Sequence, residues 1–188
     1  MNTAKAVQSI LQIARYQEQE QNLFISHLTT KTFGKKEFIL KEGQICRAIY
    51  FVNEGALRHY QYADNGDEIT CNLFIENDWV LDMESFISQK PSKGFIECYY
   101  NAELLELSVH GLHSLIAVSQ NFLALGSLMN TCIRDISFDI LPSPEEKYNH
   151  LIGTRPQLLQ QFSLKHIASF LRITPETLSR VRRKIMQP

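Results

Sequence analysis

The chain has 188 residues, 44% hydrophobic and 10% aromatic, enough to bury a real core, which excludes a disordered protein. Its formal net charge of −1 hides an asymmetry: residues 1–154 hold 12 Lys+Arg against 19 Asp+Glu, a balance of −7, whereas 155–188 hold 7 against 1, a balance of +6. There is no apolar run of about 18 residues, no basic-then-apolar leader and no Cys-x-x-Cys among Cys46, Cys71, Cys98 and Cys132; this argues against a membrane span, a secreted protein and a zinc site, and for the cytoplasm.

Residues 3–28 read as helical, with Val7, Ile10, Leu11 and Ala14 on one face, then Leu23, Phe24 and Leu28. From about residue 32 to 107, short strand-like runs alternate with turn signals. The runs are 37–40, 48–52, 56–62, 68–74, 79–81, 95–99 and 104–107, and Asn65-Gly66 is the strongest hairpin signal. This spacing predicts an antiparallel sandwich or jelly roll within residues 1–118, and an α+β chain overall.

Ser108 is placed to cap a short helix through Leu115, and a long helix is predicted over about 121–140. Along it, Phe122, Leu125, Met129, Cys132 and Ile136 step by 3, 4, 3, 4, a heptad seam suited to a homodimer. Leu128, Ile133 and Ile140 lie beside the seam and could pack on the sheet. Leu141-Pro142-Ser143-Pro144 stops the helix, giving a dimer helix over 119–141 and a small helical domain over 145–188.

That last segment carries the chemistry. Ser163 can cap a helix whose Leu164, Ile167, Ala168 and Leu171 share one face. After a tight break at Arg172-Ile173, Thr174 can cap a second helix with Pro175 at its first position. Leu178, Val181 and Ile185 form its apolar stripe, while Glu176, Arg180 and Arg183 point away and Thr177, Ser179 and Lys184 flank them. Helix, short turn and capped basic helix make a helix-turn-helix, whose Arg and Glu can read guanine and cytosine in the major groove. The +6 balance suits a polyanion such as double-stranded DNA. The predicted DNA contacts are Lys165, Thr174, Glu176, Thr177, Ser179, Arg180, Arg183 and Lys184.

From about Lys36 to Ile185 the chain resembles the Crp/Fnr superfamily of bacterial transcription regulators. The landmarks are Gly43, 49–55 (IYFVNEG), Gly66-Asp67-Glu68, Asn77-Asp78-Trp79, and 162–168 (FSLKHIA) through 175–180 (PETLSR). The resemblance implies a cyclic-nucleotide-binding-like jelly roll, a homodimer on a two-fold symmetric DNA site, base contacts by Glu176 and Arg180, and RNA polymerase as a partner. The chain stops soon after the second helix, as in a short subgroup lacking the β-hairpin wing, and Arg172 stands where the turn commonly has Gly. In nucleotide-binding members a Gly-Glu pair and a later Arg hold the ribose and the cyclic phosphate. Here those positions fall on Leu81-Asp82 and on Ser92, followed by Lys93; the base-facing helix hydroxyls fall on Ile136 and Ser137. The effector pocket is therefore expected at Asp82, Met83, Ser92, Lys93 and Ser137, with its phosphate site degraded and cyclic nucleotide not its ligand.

Other chemistries are weaker. His110 and His113 lack a third ligand, His59 stands alone on its strand, and the cysteines form no cluster for an iron–sulfur centre, so no metal, other cofactor or enzymatic activity is expected. The alternative to a DNA-binding regulator is a signalling module that binds a cyclic nucleotide or other small molecule and whose helical tail contacts protein rather than DNA.

Overall fold

The computed structural model describes residues 2–131 and 137–186. Two short helices, α1 (Ala4–Leu11) and α2 (Glu18–Ser26), open the chain. Eight strands and one inserted helix follow: β1 (Leu28–Phe33), β2 (Phe38–Leu40), β3 (Ala48–Glu54), β4 (Leu57–Tyr62), β5 (Glu68–Phe74), β6 (Trp79–Val80), α3 (Met83–Ser88), β7 (Phe95–Cys98) and β8 (Ala102–Ser108). They form two antiparallel four-stranded sheets, ordered β1-β8-β3-β6 and β2-β7-β4-β5. The α+β class and antiparallel sheets are those expected.

Alternation along the strands assigns the faces. Tyr50 pairs with Glu106 and Ala48 with Ser108, so these four share one face of the first sheet. Ile49, Phe51, Leu105 and Leu107 share the other. Phe51 stacks edge-on against Trp79, which also meets Phe24 of α2, so the initial helices close that face. In the second sheet Leu57 and His59 share a face with Ile96 and Cys98, while Arg58 and Tyr60 share the opposite one with Glu97 and Phe95. The β3–β4 corner needs Gly55: its φ is +100°, and a Cβ there would strike the Asn101 carbonyl oxygen and Ala102 Cα.

α4 (Val109–Val118) starts where Ser108 Oγ accepts the Gly111 amide at 2.9 Å, the cap that the sequence suggests. The long helix does not appear as expected. Gln120–Ser127 is 3₁₀, followed by α5 (Leu128–Thr131); α6 (Ser137–Ile140) resumes after the undescribed stretch. Phe122 and Leu125 are fully buried and Leu128 nearly so, all in the jelly-roll core, with Tyr16 stacked on Phe122 at 5.3 Å. Phe122 and Leu125 are therefore core residues of their own chain, not a dimer seam. A heptad pattern reports only that one side is apolar, and here the sheet domain takes that side. Met129 is half-buried against the same core; Cys132 and Ile136 lie outside the described residues.

The rest is helical: α7 (Pro144–Thr154), α8 (Leu158–Gln161), α9 (Leu164–Phe170) and α10 (Pro175–Met186). Ser143 and Glu146 make a reciprocal cap at the start of α7 with Pro144 at its first turn, so the Pro-rich stop of one helix is also the start signal of the next. A second core joins Leu151, Leu158, Ile167, Phe170, Leu178 and Val181 to Ala56 at the β3–β4 corner and Leu73 of β5. The helices thus sit on the outer face of the second sheet.

The joint between them is polar at its centre. Arg58, almost fully buried, donates to Glu68, lies 3.6 Å from Glu97, contacts His166 Nε2 at 2.7 Å and covers the Tyr60 ring at 4.2 Å. The Thr70 amide donates to Ser169 Oγ at 2.9 Å. Further along, Arg155 pairs with Asp78 and donates to the Leu73 carbonyl at 3.3 Å. Burial, then the neighbouring Arg58 charge, hold the His166 pKa down at about 4. Burial raises Asp78 despite Arg155, and Glu97 despite Arg58.

Candidate functional site

Two regions hold the residues singled out by the sequence. The first is α10 with the turn before it. Thr174 Oγ1 accepts the Thr177 amide at 3.2 Å, as an N-cap should, and α9 begins with the Ser163 cap on the His166 amide at 3.4 Å. Arg172, between them, has φ +58°, the left-handed conformation that glycine adopts without strain. Leu178 and Val181 are buried, which fixes the rotation of α10. Ile185 is 40% exposed and contributes less to that stripe than its spacing suggests.

With the apolar side set, Thr174, Glu176, Ser179, Arg180, Arg183 and Lys184 are exposed and Thr177 is partly so. Arg180 reaches back to Thr177 Oγ1 at 3.4 Å. Hydrogen bonds from its own backbone amide and from Thr174, then the charge of Arg180, hold the Glu176 carboxyl below its ordinary pKa. Lys184 forms an exposed ion pair with Glu145 of α7 at 3.4 Å, so this cation is partly engaged. Lys165 is exposed on α9. A surface of this kind offers Arg and Lys donors, hydroxyls and one acceptor on a rigid helix, a set suited to phosphates and base edges.

The second region is a cavity of about 270 Å³ between α3, the following loop, β4 and β5, lined by Asp82, Met83, Ser92 and Lys93. Ser137 is on α6, away from those strands in sequence, and its side chain is outside the described set. Asp82 is 7% exposed and does two jobs: Oδ1 caps α3 by accepting the Ser85 amide at 3.1 Å, and Oδ2 accepts from Ser92 Oγ at 2.5 Å. The two positions expected to face a ribose and a phosphate therefore bond to each other. Lys93 points elsewhere, to Glu84 at 3.0 Å, with both side chains largely in solvent.

Sequence reading missed the wall opposite. His59, Gln61 and Asn72 line the same cavity from β4 and β5. Their positions alternate with Arg58 and Tyr60, and that alternation was the available signal. Burial lowers the His59 pKa, only partly opposed by Asp82, so the imidazole is neutral near pH 7. The cavity thus presents a buried carboxylate and neutral donors, with no buried cation among the described residues that line it.

Residues 30–119 match the family model for the cyclic nucleotide-binding domain. No curated protein matches the sequence. Solved structures with this fold include FixK2 from Bradyrhizobium japonicum, with a TM-score of 0.65 at 17% identity, covering 84% of each chain. The c-di-GMP-responsive regulator CLP of Xanthomonas campestris has a TM-score of 0.62 at 16% identity, covering 90% of this chain and 91% of its own. The Thermus thermophilus catabolite activator protein has a TM-score of 0.56 at 21% identity, with 90% and 83% covered. Residues 30–119 thus resemble a cyclic nucleotide-binding domain, and the solved structures similar in fold include Crp/Fnr transcription regulators.

Proposed function

We propose that this protein is a sequence-specific, double-stranded-DNA-binding transcription regulator of the Crp/Fnr type that acts as a homodimer. The observation that carries the reading is α10: a capped helix, clamped by Leu178 and Val181, whose exposed side presents Glu176, Ser179, Arg180, Arg183 and Lys184. In a helix-turn-helix the second helix enters the major groove and the first crosses the backbone, which gives Arg180 and Glu176 base-reading roles and Lys165 a phosphate role. The +6 balance of residues 155–188 supports it, because cation–phosphate contacts dominate affinity for DNA.

The effector site has lost its capacity for a cyclic phosphate. A buried phosphate needs a paired cation; Ser92 stands at the Arg position and Asp82 adds a buried negative charge. Dimerisation uses the segment after α4. With Phe122 and Leu125 committed to the core, the exposed apolar side chains offered to a second copy include, among the described residues, Val118 at the end of α4, Leu123 and Ile140, which are 70%, 61% and 76% exposed. Capture of genomic fragments by the purified protein, followed by anisotropy titration over salt, tests the reading. Specific fragments whose affinity falls steeply with salt support it; capture no better than that of a neutral control protein rejects it.

A further inference from the structure

A second cavity, of about 610 Å³, opens at the end of the jelly roll beside the β2–β3 loop. It is larger than the Asp82 cavity and lies within the size range of small-molecule sites. Its walls come from both sheets: Ile39 and Leu40 of β2 and Ile96 of β7 give an apolar side, and Tyr50 of β3 and Glu106 of β8 give a polar one. Tyr50 and Glu106 are direct cross-strand partners on the inner face. Arg47, in the loop at the mouth, lines the same space.

Two features make this more than a gap in packing. A half-buried carboxylate lining a partly apolar chamber is costly unless it meets a donor, so Glu106 favours a ligand that brings one. Secondly, a cation and an anion line one chamber, yet no ion pair among the described residues joins Arg47 to Glu106. Opposite charges held apart across an apolar wall complement a molecule carrying both charges and an apolar body.

We propose that this cavity binds an apolar or aromatic α-amino acid, with its ammonium at Glu106, its carboxylate at Arg47 and its side chain against Ile39, Leu40 and Ile96. The site is distinct from the Asp82 cavity, and the proposal does not depend on DNA binding. Each charged contact, if made in a partly desolvated chamber, carries about a tenfold share of the affinity or more.

Calorimetry with L-phenylalanine as the probe tests it, alongside phenethylamine, which lacks the carboxylate, and 3-phenylpropionate, which lacks the ammonium. L-phenylalanine is expected to bind at least about tenfold more tightly than either analogue. Arg47→Ala should remove the advantage over phenethylamine, and Glu106→Gln the advantage over 3-phenylpropionate. Arg47 is exposed, so its variant tests the idea even if Glu106→Gln misfolds; circular dichroism identifies that case. Absence of binding by L-phenylalanine at millimolar concentration, equal binding of all three probes, or indifference to Arg47→Ala would each overturn the assignment.

Discussion

Replacing Arg58 with methionine should loosen the joint between the sheet and α9 and lower stability markedly. The side chain is 3% exposed, and the shape of methionine keeps most of its packing, so the change isolates the guanidinium. Without it, Glu68 and Glu97 face each other with no shared cation, and His166 Nε2 loses its partner. Removing one member of a buried ion pair costs about 3–5 kcal/mol. Glu68 is 36% exposed, so solvent screens part of that cost, and about 2–4 kcal/mol is the working figure. For a chain of this size about 1 kcal/mol moves Tm by roughly 2–4 °C, so a fall of about 4–16 °C is expected in a thermal melt. Adding Glu97→Gln to Arg58→Met should recover part of it, because one of the stranded carboxylates is then neutral. A Tm within about 1 °C of wild type would show that the cluster is no more than a solvated surface network.

Three further predictions concern the same parts of the molecule. His166 is held at about 4 in the folded protein against roughly 6.5 when unfolded, so its contribution is intact above pH 6.5 and is lost as pH falls from there toward 4; the stability difference between wild type and His166→Gln should therefore shrink over that interval, and a constant difference would refute the burial of a neutral imidazole. Arg172→Gly should raise stability by about 0.5–1 kcal/mol in denaturant titration, because glycine meets a φ of +58° without a Cβ penalty; a loss would mean that the Arg172 side chain contributes more than its backbone costs. Cyclic AMP and cyclic GMP should bind about 10–150-fold more weakly than they would with an arginine at position 92, and calorimetry showing micromolar binding to the wild type would mean that Lys93 leaves Glu84 to hold the phosphate.

Local signals transferred well from sequence to structure, and distant ones less so. Ser108, Ser163 and Thr174 are helix caps that one hydroxyl and one amide define, and all three are found as read. Strand runs with alternating burial were legible for the same reason. Leu28–Phe33 was not, because its burial alternation is nearly absent: only Leu28 is buried, and the strand forms through pairing with β8. The heptad of Phe122 and Leu125 failed through an ambiguity that spacing cannot resolve, since an apolar stripe looks the same whether its own sheet or a second copy covers it. At the sites, Asp82 and Ser92 were identified by position, but their hydrogen bond across ten residues depends on α3 folding between them. Arg58 and His166 are 108 residues apart and meet only when the helices dock, so neither carries a signal in its own neighbourhood.

The central claim is that α10 reads bases, and the contrast between Arg180→Ala and Lys165→Ala tests it most directly. Both side chains are exposed, so neither change should disturb the fold. Anisotropy titrations on a selected genomic site and on random DNA, each over a range of salt, separate the two roles. Arg180→Ala should cost about 1–3 kcal/mol on the selected site, relax base preference there and leave random DNA much less affected. Lys165→Ala should weaken both DNAs alike and reduce the salt slope by about 1. Equal losses on both DNAs for Arg180→Ala would make it only a phosphate contact, and a wild type without salt-dependent DNA binding would contradict the regulator reading altogether.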